Sequence, residues 1–216
     1  MLLDVLGLLS ACSYALDCVE AELVHVSDKH AKRVAYMSVC MAEQLGISGE
    51  SLQDLAACAL LHDNALTQYI QEELHKDVAN APQASQVGIH CTLGEKNIQR
   101  LPFHTDVKNV ILYHHENYDG TGYPANLAGE KIPFGARILR ICDVYCALTS
   151  DRPYRSAFTR EQAMELMTEE VKNFDLKMFL AFQRVIHSGS RKAIELSDVD
   201  AVSYTHLRAH ETEADL

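Results

Sequence analysis

Apolar positions recur along most of this chain three and four residues apart, the spacing of α-helices, and nowhere settle into the alternation of a half-buried strand. The pattern predicts helices over about 2–25, 29–45, 50–62, 84–100, 105–117, 135–150, 159–171 and 175–187. Gly46 stops the second, Ser27 or Asp28 is placed to cap it, and Thr159 with Gln162 spells a capping box for the seventh. The stretch 64–83 is ambiguous: Asn64 to Leu74 suits a short helix, and Asn80-Ala81-Pro82 then breaks it. With no strand set to pair, the fold class is all-α, a helical bundle.

At 216 residues the chain is long enough to close one core. A content of 48% apolar and 23% charged residues is that of a globular protein. The formal charge of −11 argues against DNA or RNA polymers as partners, because binding along a phosphate backbone needs a basic face. It leaves a small anionic substrate open, since bound metals reverse the local sign. The seven cysteines form no CxxC pair and most lie in apolar helical runs. They read as small buried hydrophobes in a reduced, cytoplasmic protein. The opening Met1-Leu2-Leu3-Asp4 segment carries an acid and no basic flank, so it reads as a packing helix rather than a signal peptide. No apolar run is long enough to span a membrane.

Chemistry concentrates in five places. His30 heads His30-Ala31-Lys32-Arg33-Val34-Ala35, and His62-Asp63 ends the apolar run Leu55–Leu61. His90 begins His90-Cys91-Thr92-Leu93-Gly94. Then come His114-His115-Glu116-Asn117-Tyr118-Asp119-Gly120-Thr121-Gly122-Tyr123-Pro124 and, inside the apolar run Ile138–Tyr145, Asp143. A carboxylate or imidazole on a buried face is costly without a partner, which favours a cation beside His62, Asp63 and Asp143. Imidazole with carboxylate suits iron, manganese, zinc or nickel better than magnesium or calcium. Adjacent helical residues diverge by roughly 100°, so His114-His115 is expected to reach two ions more readily than one. Seven side chains are too many for one octahedral shell and suit two ions. Two divalent ions with two aspartates leave a positive centre fit for a phosphodiester anion. His25, His75, His104 and His187 read as ordinary core histidines; His25 rivals His30 but lacks the Arg-Val-Ala that follows it.

These motifs, in this order over roughly residues 20–187, resemble the HD-GYP family, a branch of the HD metal-dependent phosphohydrolases whose best-known substrate is cyclic di-GMP. The resemblance implies an HD-domain helical bundle with extended C-terminal helices, a single domain over 1–201. It implies a dinuclear centre of His30, His62, Asp63, His90, His114, His115 and Asp143, with Asp63 and His62 at the catalytic core. The two ions would be iron or manganese first, zinc or nickel next. The implied reaction opens the cyclic dinucleotide to pGpG and/or GMP. Tyr123 of the GYP loop would border the substrate, and Arg152 and Arg155 of Leu148–Arg155 would fork onto its phosphates. Some relatives hold a third ion through a glutamate one turn before the first histidine; that position is Val26 here, so two ions are expected. The family also implies homodimers and receiver-domain or GGDEF-type signalling partners in bacterial signal transduction, although the first helix can equally pack on its own core.

The chain departs from the family after the doublet. The usual HD-hydrophobe-Gly-Lys is His62-Asp63-Asn64-Ala65-Leu66, and leucine cannot donate to a phosphate. Losing one charged contact in a desolvated site costs on the order of a hundredfold in rate. Two alternatives follow: an impaired domain that binds cyclic di-GMP or a protein partner, and an HD hydrolase for another phosphate ester. Finally, Val202 to Thr212 looks like the in-frame translation of a sequencing adapter, which would place the natural end near Ala201 and leave His206 and His210 without chemistry.

Overall fold

The structure, a computed structural model, describes residues 5–24 (the backbone alone for 20–24), 29–66, 68, 88–152 and 154–187. Among these stand seven α-helices and no β-strand: α1 (Val5–Val24), α2 (His30–Gln44), α3 (Glu50–Leu60), α4 (Ile89–Ile98), α5 (Phe134–Leu148), α6 (Arg160–Glu169) and α7 (Leu176–His187). The fold is all-α, as the apolar spacing predicts. No helix among the described residues is long and apolar enough to cross a membrane. His25, Val26, Ser27, Asp28, His75, most of the ambiguous 64–83 stretch and the adapter-like tail lie outside the described residues.

Helix α2 is the axle of the bundle: α1, α3, α5 and α7 all pack on it. Its central residues Val34 to Ala42 are buried on every side, which a helix with a solvent face would not allow. Its C-terminus is a Schellman turn. Gly46 takes φ +82°, the Ile47 N–H reaches the Ala42 carbonyl and the Gly46 N–H reaches that of Glu43. At its N-terminus, Lys29 provides no side-chain cap, and the Asp17 carboxylate of α1 accepts the Ala31 N–H instead. Helix α5 contributes the fully buried Ile138, Leu139, Ile141 and Cys142, and its Tyr145 ring meets Phe182 of α7 edge-on at 5.2 Å. Thr159 and Gln162 form the predicted capping box on α6.

The helix expected over 105–117 is not there. Residues 108–115 are successive turns, and Asn109 has φ +64°, which breaks a right-handed helix. The helical spacing of Val107, Val110 and Ile111 reflects burial against the bundle, not helical backbone. A carboxylate from the preceding helix takes over the hydrogen bonding. Glu95 of α4 accepts the N–H groups of Asn109 (2.6 Å) and Leu112 (3.2 Å). Two other buried acids do the same on either side. Asp54 of α3 accepts the N–H groups of His104 (2.9 Å) and Thr105 (2.6 Å), and Glu116 accepts those of Ala125 (2.6 Å) and Leu127 (3.0 Å). Backbone donors that no regular secondary structure pairs are thereby satisfied by charged acceptors.

The glycines of the following loop serve different ends. Gly120 takes φ +84°, as expected of a tight turn. Gly122 is required for closeness: a Cβ there would lie 2.2 Å from the Asn117 nitrogen and 2.5 Å from the His115 oxygen. The loop therefore folds back onto the backbone of the histidine doublet itself.

Glu95→Ala leaves the half-buried Asn109 and Leu112 N–H groups without their charged acceptor, at a cost of about 3 kcal/mol. Thermal unfolding followed by circular dichroism should show Tm lowered by roughly 6–12 °C, with Glu95→Gln falling between the two.

Candidate metal centre

All seven predicted ligands converge. His30 comes from the first turn of α2, His62 and Asp63 from the turn that ends α3, and His90 from the first turn of α4. His114 and His115 come from the carboxylate-held turns, and Asp143 from the middle of α5. The ligand atoms of His30, His62 and Asp143 lie within 4.8 Å of one another, and so do those of His90, Cys91, His114 and His115. Asp63 stands between the two groups. Its Oδ2 is 3.3 Å from His62 Nε2, while its Oδ1 is 3.6 Å from both His90 Nε2 and His114 Nε2. Asp143 reaches His30 Nε2 at 3.0 Å through Oδ1 and His115 Nδ1 at 3.9 Å through Oδ2.

The histidine doublet stands on turns rather than on the expected helix. The rings lie side by side, with His114 Nε2 toward Asp63 and His115 Nδ1 toward Asp143. Their centroids are 4.0 Å apart, and both belong to the same group of ligand atoms.

The ring orientations suit a cation. His62 gives its Nδ1–H to the Ala59 carbonyl (2.8 Å), and His114 gives its own to the Ile111 carbonyl (2.6 Å). Each is a backbone bond within the same turn, so local chain geometry aims both Nε2 atoms inward. Those two nitrogens and Asp63 Oδ1 are buried without any hydrogen-bond partner. Polar atoms so placed are costly unless something charged sits among them, so the donor set fits divalent transition metals.

The electrostatics agree. Burial works to lower the His62 pKa, but the Asp63 and Asp143 carboxylates outweigh it and push the ring up to about 10. Burial would raise Asp63 and Asp143, yet the surrounding imidazoles hold both well below the usual carboxylate range. His115 is lowered, by burial and by the charge of His114 beside it, and is therefore a neutral ring ready to donate a lone pair.

Sequence reasoning missed two groups here. Asp17 of α1 is buried near enough to interact with the charges of His30 and His62, and burial above all raises it to about 6. Nothing in an amphipathic first helix marks one aspartate as inward-facing. Cys91 is fully buried with its Sγ 3.4 Å from His90 Nε2, although its apolar setting suggested plain packing.

The expected substrate residues separate. The Tyr123 ring lies along His115 at 4.8 Å, tilted by 32°, and forms a wall of the centre. Arg155 is engaged elsewhere. Its guanidinium donates to the carbonyls of Ala147 (2.7 Å), Leu148 (3.0 Å), Ser150 and Ser156, closing the C-terminus of α5. Free carbonyls at a helix end compete for arginine as well as a phosphate does, which the sequence did not reveal. The Arg152 backbone pairs with that of Arg155. Arg140 is closer to the GYP loop: its Nε donates to Asn117 Oδ1 at 3.0 Å and its charge acts on the Tyr123 phenol. After the doublet, Asn64 donates to the Leu61 and Gly94 carbonyls, tying the His62-Asp63 turn to α4, and Leu66 is half-buried. His104 and His187 are exposed and away from the cluster, not core residues.

Comparison with known proteins bears on this geometry. The sequence profile of the HD domain family matches residues 17–178. A cyclic di-GMP phosphodiesterase of Pseudomonas aeruginosa is 32% identical over 164 residues, 73% of this chain and 38% of that protein. The cyclic di-GMP phosphodiesterase response regulator RpfG of Xanthomonas campestris is 35% identical over 140 residues, 62% of this chain and 36% of its own length. The chain thus spans little more than a third of these relatives. Among solved structures, a cyclic GMP-AMP specific phosphodiesterase of Vibrio cholerae superposes with a TM-score of 0.67 at 17% identity, over 93% of this chain and 53% of that one. That likeness is one of fold.

Metal-free protein should have a characteristic pH profile. His62 is raised above its ordinary 6.5, so its contribution to stability is whole below about pH 6.5 and is lost as pH rises through about 10. Asp63 and Asp143 are depressed, so theirs is present above 3.8 and lost as pH falls. Chelated protein should therefore show its highest Tm between these limits and a decline above pH 7; a Tm still rising from pH 7 to 9 would contradict the charge pairing.

Proposed function

The chain belongs to the HD domain family, and on that premise we propose that it is a metal-dependent phosphodiesterase acting on a cyclic dinucleotide, cyclic di-GMP first, with pGpG and/or GMP as product. The observation that carries this reading is the doubled ligand set. His30, His62 and Asp143 would hold one ion and His90, His114 and His115 the other, with Asp63 reaching toward both. Iron or manganese is the first choice of metal for such imidazole and carboxylate donors, zinc or nickel the second. When bound, the pair of ions supplies positive charge to the phosphodiester and lowers the pKa of water.

The chain's own residues set up the rest. The backbone carbonyls of Ala59 and Ile111 hold two imidazoles with Nε2 inward, so the centre needs little reorganisation. Tyr123 closes the side next to His115 and offers a ring face to a base. Arg140 takes the part given by family resemblance to a lysine, here Leu66, and by sequence to Arg155, which is committed to α5. A cyclic dinucleotide is also the substrate class named for the curated relatives and for the Vibrio structure.

A second reading, a domain that binds the dinucleotide as a sensor without turning it over, draws on Leu66 and on the engagement of Arg155. Chromatographic assay of anaerobically iron- or manganese-loaded protein separates the two. The expected result is conversion of cyclic di-GMP, abolished in Asp63→Ala together with metal content. Arg140→Ala should raise KM about tenfold with a smaller change in kcat, as loss of one charged contact predicts. Tight binding without product, in protein verified to hold two metals, would overturn the enzymatic reading in favour of the sensor.

A further inference from the structure

We propose that Cys91 is a ligand of the ion held by His90, His114 and His115, so that one half of the centre carries sulfur and the other does not. The inference rests on the dinuclear reading and deepens it. Cys91 follows His90 in the first turn of α4 and is fully buried. Among the described residues, it is the one cysteine whose sulfur lies within 4.8 Å of three imidazole ligand atoms. Cys40, Cys58, Cys142 and Cys146 are equally buried and fall in no such group.

The spacing is that of two ligands on one ion. With a metal–sulfur bond of about 2.3 Å and a metal–nitrogen bond of about 2.1 Å, neighbouring ligand atoms stand roughly 3.1–3.6 Å apart, from octahedral to tetrahedral angles. Cys91 Sγ and His90 Nε2 are 3.4 Å apart. The inward-facing Nε2 of His114, buried and without a hydrogen-bond partner, belongs to the same group of ligand atoms. The same 3.4 Å also suits an S–H···N hydrogen bond, and the two arrangements differ in whether sulfur touches the metal.

Coordination has definite consequences. The thiol proton leaves to solvent as the ion binds, and the thiolate brings one more negative charge than the aspartates alone. A soft donor shifts this half of the centre toward zinc or iron and away from manganese, whereas His30, His62 and Asp143 keep a nitrogen and oxygen shell. The two positions would then fill with different preferences.

Cobalt(II) reports this directly, because sulfur bound to cobalt gives an intense near-ultraviolet charge-transfer band that nitrogen and oxygen ligands do not. The 216-residue chain titrated anaerobically with cobalt should take up two ions and develop that band. In Cys91→Ser the band should vanish and zinc affinity at one site should fall at least tenfold, with the circular dichroism spectrum unchanged; Cys91→Ala serves if the serine variant does not fold. Two bound cobalt ions without the band, or a band that survives in Cys91→Ser and Cys91→Ala, would overturn the sulfur ligand and leave the dinuclear centre standing. Failure to bind cobalt at all would overturn the dinuclear reading and this inference with it.

Discussion

Two carboxylates in the interior set the terms for the rest of this structure. The Asp63 and Asp143 side chains are only 18% and 12% exposed, and an isolated carboxylate so placed is costly. The chain meets the cost by surrounding them with five imidazoles drawn from four separate segments. In the absence of a metal, a proton held on His62 plays the part of the counter-charge. A divalent ion is the stronger form of the same solution, since it satisfies the orphaned nitrogens and the carboxylates together. The bundle is thus organised for a cation at its centre, and its helices are arranged to present ligands as much as to bury apolar surface.

The second constraint concerns the irregular segment between α4 and α5. Two of the seven candidate ligands and the Tyr123 wall stand on it, yet it has little regular secondary structure to hold it. Asp54, Glu95 and Glu116 hold it instead, each accepting backbone N–H groups from a buried position. Glu95 links this directly to the site, because it lies on the same helix as His90 and fixes the turns that lead to His114. The near-contact of Gly122 with the backbone of Asn117 and His115 finishes the arrangement. Ligand geometry therefore depends on buried acids that touch no ligand.

What the sequence made legible follows from the same physics. Metal chemistry demands particular residue types, so His30, His62, Asp63, His90, His114, His115 and Asp143 could be picked out one by one, and they do meet in space. Helical spacing served equally well for the regular bundle, where the apolar period is also the backbone period. It failed at 105–117, where burial alone set the spacing of Val107, Val110 and Ile111 while Glu95 and Asn109 set the backbone. Arg155 was misread because a motif names a residue type and not its neighbours, and the open carbonyls of α5 are invisible until the helix end is placed. Asp17 and Cys91 were passed over for a related reason: each lies in an ordinary amphipathic setting, and only the packing of α1 and α4 turns it toward the ligands.

Charge then decides how such a centre would meet an anion. The chain carries 30 acidic against 19 basic residues, so its overall field repels a dinucleotide. Among the described residues, Leu66 stands where a lysine is usual, Arg155 is committed to α5, and Arg140 donates to Asn117 and acts by its charge on the Tyr123 phenol. Attraction must come from bound ions, in the measure by which they exceed Asp63, Asp143 and a Cys91 thiolate. Two divalent ions against three such negative groups leave a single positive charge, enough to hold one phosphodiester and not two. The cyclic dinucleotide proposed above carries two, so its second phosphate would fall to Arg140 or to solvent. Occupancy of the metal positions, more than any side-chain cation, would set whether this chain holds its substrate.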